Sequence, residues 1–166
     1  IDNGLPLKGE VNLMELEEIL DERIIKIGLD AGSKDDAIRK MSATLYENGY
    51  INDIEDFVKD IYLREQEGIT GIGNGVAIPH GKSGSVTRIG IAIATLKDEI
   101  EWETLDGEKV NTIFLFCVSN DTNSDRDHLV LLSKVAAKIA DDELLQKISM
   151  AKSAQEVVSY LGGKSA

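Results

Sequence analysis

A glycine-rich segment at residues 70–83 is the feature that most restricts the backbone of this chain. It reads Thr-Gly-Ile-Gly-Asn-Gly-Val-Ala-Ile-Pro-His-Gly-Lys-Ser and contains one of only two histidines, His80. The Gly-Asn-Gly triplet around Asn74 favours turn conformations that bulkier residues resist. Pro79 restricts φ just before the histidine, and Gly81 leaves room just after it. The pattern predicts a rigid loop that presents one imidazole at the protein surface.

Two nucleotide-binding motifs contain similar glycines, and the segment matches neither of them. A P-loop has glycine, four further residues and then Gly-Lys-Ser or Gly-Lys-Thr, followed by a helix. The Gly-Lys-Ser at 81–83 has Val76 where the first glycine belongs, and an apolar, strand-like run follows it. A Rossmann fingerprint has G-x-G-x-x-G after a strand, whereas glycines 71, 73 and 75 follow a helical pattern at G-x-G-x-G spacing. We therefore expect no bound nucleotide.

The segment closely resembles the active-site motif of the IIA domains of the bacterial phosphoenolpyruvate:sugar phosphotransferase system. The match is to the fructose/mannitol superfamily, which also contains a nitrogen-regulatory branch. In that family the histidine of G-x-G-N-G-x-A-I-P-H-G is phosphorylated, and this histidine corresponds to His80 here. The resemblance implies a IIA phosphoryl-carrier domain at 14–161. Residues 1–13 are then expected to be an expression remnant or a disordered leader, and 162–166 a linker-like tail.

Hydrophobic periodicity predicts helices and strands along the whole chain. Residues 14–21 are expected to form a short helix that starts at Met14, and 23–29 a strand. Two longer helices follow, with Ser33 and Asp53 as their N-caps. The nearly continuous apolar runs at 89–96 and 113–118 are typical of central strands that are covered on both faces.

The connection between those runs and the C-terminal third complete the predicted fold. The connection at 99–110 is a candidate for a further strand. Ser124 or Asp125 is expected to cap a helix, and its inward face is predicted to carry Leu129, Leu132, Val135, Ala136 and Ile139. Two shorter helices should follow, capped by acidic residues at 141–143 and by Ser153. The fold class predicted is α/β, a three-layer sandwich in which helices flank both faces of one mostly mixed sheet.

Charge and composition narrow the classes of partner. The net charge of −12 and the pI of about 4.6 argue against nucleic acid and anionic membranes as partners. The apolar runs are shorter than the ~20 residues of a membrane span, so we expect no membrane insertion. Cys117 is the only cysteine and lies in an apolar run, which predicts a buried small hydrophobic residue. A single cysteine and no visible secretory signal are consistent with a cytoplasmic protein.

Arg64 is the first candidate to act beside His80. In the related family an arginine of an Arg-Glu pair points into the site, and Arg64 with Glu65 matches that pair. Its planar fork of donors is suited to holding phosphoryl oxygens. The residues alone leave open a solvated arginine that pairs with Glu67 or Asp60.

His128 is the second candidate, in the first turn of the helix expected from Asp125. The positive end of the helix dipole favours a neutral imidazole that donates toward an anion. A histidine in this helix lies beside the phosphorylated histidine in the related family, and His128 with Leu129 matches that pattern. A structural histidine bonded to backbone remains the alternative. Lys82 and Asn74 are weaker candidates, the first as a surface lysine and the second as a turn residue.

The resemblance implies a function and a set of partners. The phosphocarrier HPr would phosphorylate His80, and a cysteine on a IIB domain would take the group on during sugar uptake by a membrane IIC component. The acceptor cysteine is not in this chain, so the IIB domain would belong to the same longer protein or to another one, and the sugar system would be of the fructose type. No metal or other cofactor is expected, because two histidines and one core cysteine give no zinc-ligand spacing. The alternatives are a nitrogen-regulatory IIA protein and a IIA-like regulatory module that signals by its phosphorylation state.

Overall fold

The computed structural model describes residues 16–121 and 125–162. The expected leader at 1–13, the helix start at Met14, the Ser124 cap and residues 163–166 of the expected tail lie outside these ranges. The helices are α1 (Leu16–Ile19), α2 (Lys34–Glu47), α3 (Ile54–Glu65), α4 (Asp125–Ile139), α5 (Asp142–Ser149) and α6 (Ala154–Gly162), with a 3-10 helix at Glu22–Ile24. The strands are β1 (Ile25–Leu29), β2 (Gly71–Gly73), β3 (Val76–Ala77), β4 (His80–Ser83), β5 (Gly90–Ile100) and β6 (Val110–Ser119).

One six-stranded mixed sheet forms the centre of the molecule, in the order β1-β5-β6-β3-β2. The long strands β5 and β6 are antiparallel, and β1 runs parallel to β5. Strands β3 and β4 share the other edge of β6, both parallel to it, with His80 opposite Phe116 in the register. Strand β4 hydrogen-bonds to no other described strand, so it lies at an edge of the sheet.

Two apolar cores, one on each face of the sheet, make the structure a three-layer α/β sandwich, which confirms the predicted fold class. Residues alternate between the two faces along β6: Leu115 and Cys117 pack with α2 and α3, whereas Phe114 and Phe116 pack with the other helices. Because both faces of the sheet are covered, the apolar runs at 89–96 and 113–118 are nearly continuous and do not alternate with polar residues.

Most helix starts agree with the capping pattern of the sequence. The side chain of Ser33 accepts from the Asp36 N–H at 3.1 Å, and that of Asp53 accepts from the Asp56 N–H at 3.0 Å. Ser153 likewise accepts from the Glu156 N–H at the start of α6. Local hydrogen bonds within one turn therefore mark these helix boundaries.

Two strand predictions need correction. The connection between β5 and β6 contains no strand of its own: its ends extend the two long strands, and Thr104 makes only an isolated bridge to Gly71. The glycine-rich segment is not simply a loop, because it contains β2, β3 and β4. Its backbone groups join the sheet instead of remaining in water.

The inward face of α4 also differs from the prediction. Val135 and Ile139 are buried as expected, but the third buried residue is Leu131, whereas Leu129 is 65% exposed. Leu131 precedes Val135 by one helical turn, while Leu129 lies roughly 200° around the axis from Leu131. Ala136 is exposed as well. Several apolar residues around this helix made the face ambiguous, and packing on the sheet decided it.

Candidate functional site

His80 opens the edge strand β4, and its ring lies on the face of the sheet that α4 covers. The ring centroid is 4.9 Å from that of Phe116. The next residue packs on the opposite face, where a Cβ at Gly81 would come within 2.1 Å of the Phe57 ring. A glycine is therefore required for α3 to approach this strand closely. His80 is only 6% exposed, so the prediction of a surface loop histidine was wrong: the strand draws it into the sheet edge.

His128 lies beside His80, although one residue belongs to a helix and the other to a strand, and they are 48 positions apart in the sequence. The ring centroids are 5.4 Å apart in an edge-on arrangement, and Phe116 lies 6.2 Å from the His128 ring. His128 occupies the first turn of α4 and is partly buried. The fold thus brings the two histidines of the chain into one site.

Arg64 reaches the same place from the other helical layer, at the end of α3. It lines a surface cleft of about 380 Å³. The residues that line the cleft are Asp60, Leu63, Arg64, Glu67, His80, Lys82 and His128. Arg64 Nη1 donates to the Gly68 carbonyl at 3.3 Å, and within the described ranges it forms no ion pair with Asp60 or Glu67. Its positive charge is therefore available to an anion in the cleft.

The site keeps the His80 imidazole neutral. Burial lowers the pKa of His80 to about 4, and the neighbouring His128 and Arg64 add to this effect because they disfavour a second positive charge. The nearby Ile78 backbone acts in the opposite direction and raises the pKa of His80. The pKa of His128 is lowered too, first by burial and then by Lys82. At neutral pH both rings are uncharged, so a ring nitrogen of His80 keeps a free lone pair.

Two imidazole nitrogens in the site lack hydrogen-bond partners among the residues that the structure describes. They are His80 Nδ1 and His128 Nε2, and both are shielded from solvent. A buried polar atom without a partner is uncommon and costs about 1–3 kcal/mol. For His128, which lines the cleft with Arg64, such a cost is typical of a site prepared for a ligand group, and the arginine favours an anionic one.

The weaker candidates separate into one that lies in the cleft and one that does not. Lys82 lines the cleft, and its ammonium pairs with the half-exposed Asp125 at the start of α4, at 2.9 Å. Asn74 is absent from the cleft lining; it adopts a positive φ of 56° and its N–H donates to Asp106 at 3.0 Å. Asn74 is a turn residue at the β2–β3 connection.

Cys117 lies on β6 and pairs with Gly81 of β4, and its side chain faces the core formed with α2 and α3. It is fully buried, and burial raises the pKa of its thiol to about 12. The prediction of a buried hydrophobic cysteine is confirmed. Within residues 16–121 and 125–162, no group of three or more His, Cys, Asp or Glu side chains is arranged to hold a metal ion.

Sequence reasoning missed the buried partners of Glu65, the residue after Arg64. Its carboxylate pairs with Lys34 at 2.7 Å and accepts from the Thr70 hydroxyl at 2.6 Å. Lys34 is 31 residues away, and Thr70, five residues away, lies beyond the end of the helix, where no regular helical spacing links it to Glu65. The only available signal was the Arg-Glu pair itself, which drew attention to the arginine.

The chain is similar to proteins of a known family. Residues 18–163 match the model of the family described as phosphoenolpyruvate-dependent sugar phosphotransferase system, EIIA 2. The chain is 32% identical over 132 residues to the 2-O-alpha-mannosyl-D-glycerate-specific EIIABC component of Escherichia coli, covering 80% of this chain and 20% of that protein. It is 30% identical over 148 residues to the fructose-specific EIIABC component of Bacillus subtilis, covering 89% of this chain and 23% of that protein. The chain therefore spans about a fifth of the length of these two relatives.

A solved structure supports the same relationship. Nitrogen regulatory protein IIA-Ntr from Neisseria meningitidis superposes with a TM-score of 0.79 at 29% identity, covering 87% of this chain and 97% of that one. Over the two described stretches of the present chain, no helix has both the length and the apolar character needed to span a bilayer.

Proposed function

The chain belongs to the EIIA 2 family of the phosphoenolpyruvate-dependent sugar phosphotransferase system, and we propose that it carries a phosphoryl group on His80. It is a phosphotransferase component of the mannitol and fructose type. The donor would be the phosphohistidine of HPr, and the acceptor a cysteine of a IIB domain. The observation that carries the proposal is the convergence of His80, His128 and Arg64 on one cleft.

The first step would be an in-line displacement at phosphorus by neutral His80. The lone pair of one His80 nitrogen attacks the phosphorus while the P–N bond to the donor imidazole breaks. The donor ring leaves with that electron pair and keeps its ring proton, so it departs as neutral imidazole. The His80 ring, which keeps its own proton, becomes the charged phosphohistidine. The low pKa of His80 supports this role, because the unprotonated nucleophile prevails at neutral pH.

The second step would reverse these roles. A thiolate of the IIB domain attacks the phosphorus, a P–S bond forms, and the P–N bond breaks so that His80 leaves as neutral imidazole. The acceptor sulfur must come from another domain, because Cys117 is buried in the core with a pKa of about 12. IIA domains of this family act with IIB domains, and the EIIABC relatives have both in one component.

Nε2 is the His80 nitrogen that we assign as the nucleophile. Of the two His80 ring nitrogens, Nδ1 is a shielded atom without a partner among the described residues, whereas Nε2 is not among the atoms of that kind. The neighbouring cleft is open to solvent and borders Arg64 and His128. Approach from the cleft would therefore bring the phosphorus to Nε2.

Arg64 and His128 would stabilise the charge of the group in transfer. The guanidinium offers several donors to the equatorial phosphoryl oxygens, and it is not neutralised by an acid among the described residues. The buried His128 Nε2, which lacks a partner in the free protein, would gain one when it donates to a phosphoryl oxygen. Lys82 would add a further positive charge at the rim.

Docking of HPr and of the IIB domain would use the exposed rim of the cleft. Leu63, half exposed, lines the cleft, and Leu129, 65% exposed, directly follows His128. Exposed apolar side chains around a charged centre suit transient association of two proteins. A membrane IIC component would take up the sugar, with transfer on the cytoplasmic side.

A nitrogen-regulatory role is the second candidate function, because the superposition on IIA-Ntr is extensive. In that case His80 would be phosphorylated in the same way, and the phosphorylation state would be read by other proteins. The acceptor separates the two roles: a sugar component passes the group to a IIB cysteine, and a regulatory protein has no IIB domain to serve.

The experiment that tests the proposal is intact-mass measurement of the protein after incubation with phosphoenolpyruvate, enzyme I and HPr. Wild type should gain one acid-labile phosphoryl group, and His80→Ala should gain none. His128→Ala serves as the matched control, since it should still accept the group, more slowly. Addition of a fructose-type IIB domain should then discharge the wild type. A folded wild type that gains no phosphoryl group, or a His80→Ala variant labelled equally, would contradict the proposal.

A further inference from the structure

Arg64 and Glu65 are consecutive residues at the end of α3, and their side chains leave the helix on different sides. Arg64 enters the cleft, whereas the side chain of Glu65 is only 8% exposed and lies against Lys34 and Thr70. A carboxylate this deeply buried persists only when its oxygens are well bonded. Both are: Oε1 pairs with the Lys34 ammonium at 2.7 Å, and Oε2 accepts from the Thr70 hydroxyl at 2.6 Å.

The partners of Glu65 tie the end of α3 to three other parts of the fold. Lys34 is the first residue of α2, and its ammonium lies 5.0 Å from the centroid of the Trp102 ring. Thr70 precedes β2, is 2% exposed, and accepts from Trp102 Nε1 at 3.3 Å. Trp102 belongs to the connection between β5 and β6. We call these four residues, Lys34, Glu65, Thr70 and Trp102, the Glu65 brace.

The brace also reaches the segment that carries His80. The Thr70 carbonyl accepts from the Ile78 N–H at 2.9 Å, and Ile78 precedes His80 by two residues. Thr70 thus bonds to Glu65 through its hydroxyl and, through its carbonyl, to the segment that leads to His80. Glu65 is therefore linked to Arg64 through the chain and to His80 through Thr70 and Ile78.

Arg64 depends on this support because little else holds its side chain. Its one hydrogen bond among the described residues goes to the Gly68 carbonyl, at 3.3 Å and within the same helix end. The position of the guanidinium then follows the backbone at residues 64–68. In the final turn of α3 the Glu65 carboxylate pairs with Lys34 of α2, and the Tyr62 hydroxyl donates to Asp35 of the same helix at 2.7 Å. Glu65 is the tie directly next to Arg64.

We propose that Glu65 is a positioning residue for phosphoryl transfer, and that its buried carboxylate holds Arg64 and His80 in their relative arrangement through the brace. The inference rests on the proposed function at His80. Misplacement of reacting groups by an ångström can reduce a rate ~100-fold, so partial release of one anchor should cost about tenfold.

The test compares Glu65→Gln with Glu103→Gln. Both changes remove one negative charge next to Lys34, but Glu103 is 69% exposed, and among the described residues the Thr70 hydroxyl bonds to Glu65 and Trp102 and not to Glu103. We expect the rate of phosphoryl transfer from phospho-HPr to fall about tenfold in Glu65→Gln and to stay near wild type in Glu103→Gln. Thr70→Val should reduce the rate as well, and Thr70→Ser, which keeps the hydroxyl, should restore it. Circular dichroism melting confirms that each variant is folded.

The pKa of His80, measured by NMR titration, distinguishes positioning from a plain loss of charge. Removal of a carboxylate alone would lower this pKa, whereas withdrawal of the Arg64 guanidinium would raise it, because Arg64 holds it down. We expect a rise in Glu65→Gln and none in Glu103→Gln. A folded Glu65→Gln with wild-type rate and unchanged or lowered His80 pKa would overturn the inference. Failure of the wild type itself to accept phosphoryl would instead overturn the proposed function, and the inference with it.

Discussion

Arg64 and Glu65 are neighbours in sequence, yet their side chains enter surroundings of opposite character. On the cleft side, two imidazole nitrogens and a guanidinium lack full sets of partners among the described residues. On the brace side, both Glu65 oxygens, the Lys34 ammonium and the Thr70 hydroxyl are bonded. Unsatisfied polar groups cost stability, and satisfied buried ones resist displacement. The end of α3 therefore separates a cleft prepared for a ligand from a bonded region that holds the backbone of the cleft in place.

The largest expected effect is on the cleft side, in Arg64→Gln. Phosphoryl transfer should slow on the order of a hundredfold, because a charged donor to the transferring group is lost. Stability should change little, because Arg64 makes a single bond to Gly68. Rates of transfer from phospho-HPr and thermal melting measure the two quantities.

The matched control is Lys59→Gln, an exposed lysine on the same helix that does not line the cleft. It removes the same charge and should leave the rate near wild type. Equal slowing in both variants would mean that net charge matters, not the position of Arg64. The cleft side of α3 would then have no special role in transfer compared with the rest of the helix.

The second effect is a loss of folding stability at acid pH, which arises because the buried His80 resists protonation. An ordinary histidine protonates near pH 6.5, but His80 does so only near 4, so the unfolded chain binds the extra proton first. Stability therefore falls as the pH drops from about 6.5 to 4, by up to ~3 kcal/mol from this residue.

Urea unfolding of wild type and His80→Gln between pH 7 and 4 measures this contribution. The variant should lose less stability over that range, because glutamine does not titrate. If the free energy of unfolding changed equally with pH in the two proteins, the lowered pKa of His80 would be contradicted. The view that the cleft keeps this ring neutral would then fail as well. NMR titration of both histidines in the folded protein gives an independent reading.

The third effect lies on the brace side, in Lys34→Met. Methionine leaves the buried Glu65 carboxylate without its cation, which should reduce the free energy of unfolding by about 2 kcal/mol. Lys40→Met, which breaks the exposed Lys40–Asp36 pair of 3.2 Å on the same helix, should cost no more than about 0.5 kcal/mol. Urea unfolding at pH 7 measures both. Similar losses in the two variants would show that the brace is no firmer than a surface pair.

The smallest effect is expected at the rim. Leu129→Ser should raise the KM for phospho-HPr about fivefold with unchanged kcat, because truncation of one rim contact costs ~1 kcal/mol of docking energy. Leu105→Ser is the control: Leu105 is 72% exposed but lies in the connection before β6, at the far end of that strand from β4. A change in kcat in place of KM would place Leu129 in the transfer step itself.

Much of the fold was predictable from the sequence because it depends on local rules. Ser33, Asp53 and Ser153 cap their helices as predicted, since a cap acts on the next turn of the same chain. The two apolar runs became the central strands, because a strand covered on both faces has no polar side. These features need only neighbours within a few residues.

The site was predictable in its parts but not in its arrangement. By itself the sequence determined the turn around Asn74 and the presence of one histidine in a distinctive motif. Only the tertiary structure decided that His80 is buried in an edge strand, that His128 lies 5.4 Å from it, and that Glu65 joins Lys34 and Thr70 behind Arg64. Turns and caps act over a few residues, whereas burial, pKa shifts and long-range ion pairs exist only when separate layers pack together.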